Sequence, residues 1–279
     1  MGVHWYPGHM VKAEKRIKEN MSLVDMVIEL RDARAPRATS NPRLGELSNK
    51  RPRLVILNKA DLAIEKKTNL WLQHLKTEYY AIKFNSTHDK GQIVVDMVNE
   101  MAKSIKMKRQ EKGLRPRPVR TMVLGVPNVG KSSFINRIAR RSSMKTGQKP
   151  GVTRGYQWLK VSKEIELLDT PGVLWPKFKE EDIGLHLAWI GSISDNVFDK
   201  VEVALALIRW FATEQPSSII ERFETIAPLG EPIDILKIIG IKKGCLLPGG
   251  KVDYEKTAHI FLSEFRSGLL GKVTLENPV

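Results

Sequence analysis

Residues 121–133 read TMVLGVPNVGKSS, and within them Gly125-x4-Gly130-Lys131-Ser132 follows a short apolar run and precedes a helix-forming segment. A glycine-rich turn between a strand and a helix aims backbone N–H groups at a bound phosphate. The partial positive charge of the helix N-terminus reinforces the pull. In that frame Asn128, Val129, Gly130, Lys131, Ser132 and Ser133 are candidate nucleotide-binding residues. Lys131 adds a point charge on the β- and γ-phosphates and is the first catalytic candidate; the Ser132 hydroxyl is a candidate Mg²⁺ ligand.

Two more strand ends carry matching chemistry. Residues 54–61 read LVILNKAD, an apolar strand ending in Asn58-Lys59-Ala60-Asp61. A carboxylate at Asp61 accepts from both the N1–H and the exocyclic amine of guanine. Adenine offers neither donor there and would leave the carboxylate unpaired. Lys59 is expected to lie along the base and Asn58 to tie two loops together. Asn85-Ser86, after the next strand, is placed to offer a backbone N–H to guanine O6. Further on, EIELLDTPG (164–172) ends a strand with Asp169 and Gly172. Asp169 is expected to hold Mg²⁺ through water and the Gly172 amide to sense the γ-phosphate. Thr153, in PGVTR (150–154), is a candidate for a second Mg²⁺ ligand. Segments of this kind order around a γ-phosphate and relax after hydrolysis.

The order of these parts is unusual, because the base reader precedes the phosphate loop in the chain. Short β-branched runs at 24–30, 53–58, 80–85, 120–125 and 164–169 alternate with helical patterns at 9–20, 65–78, 91–108 and 131–141. Such alternation predicts an α/β fold, a mostly parallel sheet with helices on both faces. The order base reader, phosphate loop, γ-phosphate sensor then makes it a circularly permuted P-loop GTPase domain, since loop tips tolerate new chain ends. Beyond residue 177 helical patterns take over: 201–215 is apolar nearly all round. In 254–267, Ala258, Phe261, Leu262 and Phe265 form one stripe. The expected division is therefore a GTPase domain over 1–177 and a small all-α domain over 178–279.

Composition narrows the partners. Forty-six Lys+Arg against 31 Asp+Glu give a formal charge of +15, which favours a polyanion. The basic residues concentrate in KSIKMKRQEKGLRPRPVR (103–120) and RIARRSSMKTGQK (137–149), where a merely solubilising surface would intersperse the signs. A single cysteine, Cys245, excludes an internal disulfide and suits a reducing compartment. No apolar run approaches the roughly 20 residues that span a bilayer, and the N-terminus lacks a signal-peptide layout. A cytoplasmic location without membrane contact is the expectation.

The chain resembles the ribosome biogenesis GTPase A (YlqF) group of circularly permuted GTPases. The likeness runs from WYPGHM at the start through DARAP (32–36), NKAD, GVPNVGKSS, PGVT and DTPGVLWPKF to GCLLPGGKVDYEKT (244–257). It implies a cytoplasmic GTPase that acts late in assembly of the bacterial large ribosomal subunit, binds ribosomal RNA and is stimulated by the particle. The helical domain shares in that contact, and the protein is expected to be monomeric off the ribosome. The loop NSTHD (85–89) departs from a plain Ser-Ala, which bears on how O6 is read. An alternative reading is a GTP-sensing RNA-binding module whose hydrolysis is incidental. A P-loop ATPase or kinase is disfavoured by Asp61.

Hydrolysis poses a separate problem. Ras-like sites place a water-orienting Gln just after the D-x-x-G motif, and here that position is Val173. Two candidates compensate: Asn128, holding K⁺ against the phosphates, and His9, in a turn ahead of the first helix and expected to be exposed.

Overall fold

The computed structural model describes residues 8–43, 48, 51–146, 158–170, 172–174, 180–225 and 230–278. The chain divides into two compact units, one of Tyr6–Lys177 with Glu276–Val279 and one that holds Phe178–Leu275.

The first unit is an α/β layer structure. Its elements are α1 (Gly8–Met21), β1 (Met26–Asp32), β2 (Arg53–Asn58), a 3-10 turn (Ala60–Leu62), α2 (Glu65–Leu75), β3 (Tyr80–Lys83) and α3 (Gln92–Glu111). They continue with β4 (Val119–Gly125), α4 (Lys131–Thr146), β5 (Trp158–Lys160) and β6 (Ile165–Leu168). The sheet order is β3-β2-β1-β4-β6-β5, parallel throughout except for β5, which runs antiparallel to β6. All seven residues of β1 are buried, as a central parallel strand covered on both faces requires. On one face Ile17 and Met21 of α1 pack on Val27, Met122, Leu124 and Leu168. Farther along the same face Trp71 and Leu75 of α2 pack on Val55, Leu57 and Ala81, and on the opposite face Val94 and Val98 of α3 and Ile138 of α4 line one small space with Ile28, Ile165 and Leu167. Cutting the chain ahead of β4 and joining β6 to β1 would restore the conventional motif order without moving a strand.

Register aligns the ends that matter. Asp32 pairs with Asn58 across β1 and β2, and Leu30 pairs with Gly125 across β1 and β4. The base reader, the end of β1 and the phosphate loop therefore lie at one edge of the sheet, where parallel α/β sheets bind ligands. The sequence predicts β1 over 24–30, whereas it runs to Asp32. The charged residues at its end are paired in place. Glu29 accepts from Arg31 Nε at 2.9 Å and Arg53 Nη1 at 3.2 Å. The antiparallel β5 is an addition that a three-residue edge strand does not announce in sequence.

The second unit is helical: α5 (Glu181–Trp189), α6 (Lys200–Glu214), α7 (Pro216–Phe223), α8 (Pro232–Lys242) and α9 (Tyr254–Ser267). Asp199 and Asp253 cap α6 and α9 by accepting the N–H of Glu202 at 3.0 Å and Lys256 at 2.9 Å. The expected stripe of α9 is fully buried, and Phe261 and Phe265 meet Phe211 of α6 at ring-centroid distances of 6.5 and 6.0 Å. Among the described residues no helix is long and apolar enough to cross a membrane.

The sequence reading gave all of 178–279 to the helical unit, but the last residues group with the α/β unit. The reason is Glu276, only 5% exposed. Its carboxylate accepts the backbone N–H of Arg37 at 2.6 Å and of Ala38 at 3.0 Å, and its carbonyl accepts Trp71 Nε1 at 3.1 Å. Stranding two donors in a buried turn costs on the order of 1–3 kcal/mol. Glu276→Ala should therefore lower the melting transition of the α/β unit by on the order of 5 °C in calorimetry, while leaving the helical unit's transition in place.

Candidate nucleotide site

Asn58 is the junction of the site. Its Nδ2 donates to the Val129 carbonyl at 2.8 Å, and its Oδ1 accepts from Ser86 N at 3.2 Å and Ser86 Oγ at 2.7 Å. The expected tie between base reader and phosphate loop is present. Gly130 makes it possible. With φ +98, a Cβ there would lie 2.4 Å from Asn58 Nδ2, so only glycine admits the contact.

Lys59 leaves the strand at φ 55, a left-handed conformation that turns the chain into the 3-10 segment. Its ammonium donates to the Asn128 carbonyl at 2.8 Å and pairs with Asp32 Oδ2 at 3.0 Å. Ala60 N–H is held by the Phe84 carbonyl at 3.3 Å, and Asp61 stands exposed at the rim. The 85–87 loop is tightly self-bonded. Asn85 N donates to Asp89 Oδ2 at 2.7 Å and Thr87 N to Asn85 Oδ1 at 2.8 Å, with Arg137 Nε on the Ser86 carbonyl at 3.0 Å. Each N–H expected to reach guanine O6 is thus engaged internally, and an O6 contact from this loop means sharing one of these bonds.

In the phosphate loop Asn128 takes φ 57 and is exposed, Val129 is buried, and Ser132 and Ser133 are exposed at the start of α4. Lys131 is 8% exposed, and its ammonium donates to the Gly125 and Val126 carbonyls at 3.0 and 2.8 Å. Burial pulls its pKa down to about 8, and the nearby Asp169 carboxylate opposes the shift. The sensor segment is pinned to the same loop. Thr170 Oγ1 donates to the Val123 carbonyl at 2.5 Å, and Val173 N to the Gly125 carbonyl at 3.3 Å. A Cβ on Gly172 would sit 2.7 Å from Pro127 Cα and 2.9 Å from Lys131 Nζ, so its backbone lies directly beside the catalytic lysine candidate. Val173 itself is buried in the α1 cluster, with Ile17, Met21 and Leu168.

Among the described residues no group of three or more His, Cys, Asp or Glu could cage a metal. Ser132 and Asp169 offer a hydroxyl and a carboxylate near the loop, a hard-oxygen pair that fits Mg²⁺ completed by phosphates and water. Thr153 and the side chain of His9 lie outside the described residues. Because α1 begins at Gly8, His9 belongs to the first helical turn and not to a turn ahead of the helix, as the sequence suggested.

Two further corrections concern charge. Arg117 forms a two-point ion pair with Asp25 at 2.8 and 2.9 Å. Arg120 pairs with Glu166 at 3.3 Å and lies 5.0 Å from the Trp158 ring centroid. These arginines hold the sheet edge together, and the exposed cations of the stretch are Lys103, Lys108, Lys112 and Arg115. The sequence reading also missed Asp32 and Arg34, quoted only as part of a likeness. An acid at the end of the strand beside Asn58-Lys59 was the available signal.

A family model described as 50S ribosome-binding GTPase matches residues 120–237, starting at the phosphate-loop strand and leaving the base reader outside. The chain is 41% identical, over 286 residues covering 100% of it and 95% of the relative, to Ribosome biogenesis GTPase A of Bacillus cereus. The chain belongs to the ribosome biogenesis GTPase A family. It is similar also to solved structures of that group. A GDP-bound YlqF superposes with TM-score 0.71 at 26% identity over 94% of this chain and 99% of that one. A GNP-bound YlqF from T. maritima gives 0.69 at 26% identity over 96% and 98%. The protein is accordingly a GTPase on a permuted α/β fold. Since Gly130 alone leaves room for the Asn58 amide, Gly130→Ala should weaken GDP binding by on the order of tenfold or more. Equilibrium titration with a fluorescent GDP analogue, on protein whose helical unit still melts normally, checks this.

Proposed function

We propose that this GTPase is an assembly factor for the large ribosomal subunit, acting late in maturation, that it binds ribosomal RNA, and that the particle stimulates its hydrolysis. It would work in the cytoplasm, monomeric when off the ribosome, and without a membrane. The observation that carries this reading is the contrast within the site. The nucleotide-reading parts are joined through Asn58, while Val173 is buried where a water-orienting group should stand. A site that binds well and lacks its own hydrolytic group is suited to a switch completed by its partner. The relatives' names, which join ribosome biogenesis to GTPase, point the same way.

In this reading Asp61 selects guanine, and Lys59 and Asn58 fix the base loop against the phosphate loop. Amides from Asn128 to Ser133 cradle the phosphates, with Lys131 transferring its ammonium from loop carbonyls to phosphate oxygens. Ser132, Asp169 and Thr153 would hold Mg²⁺, which neutralises charge on the phosphates when bound. Gly172, beside Lys131, is placed to report the γ-phosphate to the segment that follows it.

The polyanionic partner would be met by Lys103, Lys108, Lys112 and Arg115 together with the helical unit. Counterion release then requires affinity to fall steeply with salt. Replacing those four by alanine should weaken binding to purified large-subunit particles and flatten the salt slope, measured by pelleting at graded KCl. An unchanged slope would remove RNA from the proposal.

The missing water-orienting group is assigned to His9. A neutral imidazole accepts a hydrogen bond from the attacking water. One such group contributes on the order of 10²–10⁴-fold to a site that alone turns over at roughly 10⁻⁴ s⁻¹. Asn128 holding K⁺ is the competing source. In single-turnover assays with particles, His9→Ala should keep GTP affinity and lose most of the stimulated rate. Full stimulation in that variant, with strong K⁺ dependence, would assign the acceleration to the cation.

A further inference from the structure

The base reader rests on a part of the chain that its own motif does not contain. Strand β1 lies between β2 and β4, so its last residue, Asp32, sits under the gap that Lys59 must cross to reach the phosphate loop. Asp32 is fully buried, and its oxygens are taken by three donors of Arg34: the backbone N at 3.1 Å, Nε at 2.9 Å and Nη2 at 2.9 Å. Its own backbone N–H goes to Thr39 Oγ1 at 3.0 Å. Ala33 N donates to the Asn58 carbonyl at 2.8 Å, zipping the end of β1 to the base-reading turn. Into this locked carboxylate comes the Lys59 ammonium, at 3.0 Å from Oδ2 and 2.8 Å from the Asn128 carbonyl.

We infer that Asp32, clamped by Arg34, is a positioning residue of the guanine site, fixing the Lys59 side chain across the mouth between base reader and phosphate loop. The inference rests on Lys59 contacting the nucleotide, as proposed above.

The physical case has two sides. A buried Asp–Arg pair is a poor investment in stability, since desolvating both charges offsets most of their attraction. A long lysine side chain, by contrast, has much rotamer entropy to lose. A carboxylate that cannot itself move removes that freedom before the nucleotide arrives, so less is lost on binding. Asp32 stays ionised throughout. Burial works against the charge, but Arg34 and Lys59 outweigh it and hold the pKa far below the usual carboxylate range. The alternative account is that the pair merely closes the turn at 33–39, in which case Lys59 gains nothing from it.

A double-mutant cycle on the full chain separates these accounts. GDP dissociation constants are measured with a fluorescent GDP analogue for wild type, Asp32→Asn, Lys59→Ala and the double variant. Asp32→Asn is expected to weaken GDP roughly tenfold in the wild-type background and less than about twofold when Lys59 is already absent. An equal loss in both backgrounds makes Asp32 a structural residue and overturns the inference, as does no loss in either. If Lys59→Ala itself leaves GDP affinity unchanged, the base-reader assignment fails, a result recognisable from that single variant. Should Asp32→Asn not fold, Asp32→Glu carries the same cycle. It keeps the charge for Arg34 but displaces the carboxylate, and its effect must likewise vanish without Lys59.

Discussion

One side-chain amide holds the nucleotide site in register. Asn58 donates to the phosphate loop through Val129 and accepts from the 86 loop, so three segments far apart in the chain share one rigid corner. Neither a shorter nor a charged side chain could do both, because the corner needs a donor and an acceptor on one planar group. Almost everything else around it serves that placement. Gly130 vacates the space, Lys59 throws a second bridge to Asn128, and Arg137 of α4 reaches back to the Ser86 carbonyl.

That corner also explains why the permutation costs the site so little. What the contacts require is the spatial order of β2, β1 and β4 with their ends aligned, and parallel pairing supplies this whatever the order of synthesis. Moving the chain break to lie between β6 and β1 changes something else. The segment proposed to sense the γ-phosphate becomes the last part of the sheet region, tethered by Thr170 to β4 and packed by Gly172 on Pro127. From there the chain continues through buried Val173 and Leu174 toward the helical unit. In the conventional order that exit would lead into another strand. At the far end Glu276 returns the chain to the α/β unit, so that unit holds both ends of the helical insertion.

The helical unit illustrates a different economy. Its stability is local and apolar: Phe211, Phe223, Phe261 and Phe265 form edge-on and tilted ring contacts, with capped helix starts at Asp199 and Asp253. Partly buried ion pairs, Arg266 with Asp195 and Arg222 with Glu264, tie α9 to the segment after α5 and to α7.

The strands, the phosphate loop, the Asn-Lys-x-Asp pattern that ends β2 and the stripe of α9 were all readable from sequence. Each is a local pattern, in which residue type and spacing over a few positions dictate backbone shape or chemistry. The permuted order was legible for the same reason, since motifs keep their chemistry wherever the chain places them. What the sequence could not decide is which charges are structural. Arg117 and Arg120 look like their exposed neighbours Lys112 and Arg115, yet they are spent on Asp25 and Glu166, partners distant in the chain. Asp32 lies two residues past the run that reads as a strand, yet it is the buried last residue of β1 and pairs with Lys59 across the β1–β2 register. Glu276 falls in the stretch that reads as helical domain, yet it closes the turn at Arg37 and Ala38 far upstream. A charge takes its meaning from the partner and the dielectric around it, and only the folded chain supplies either.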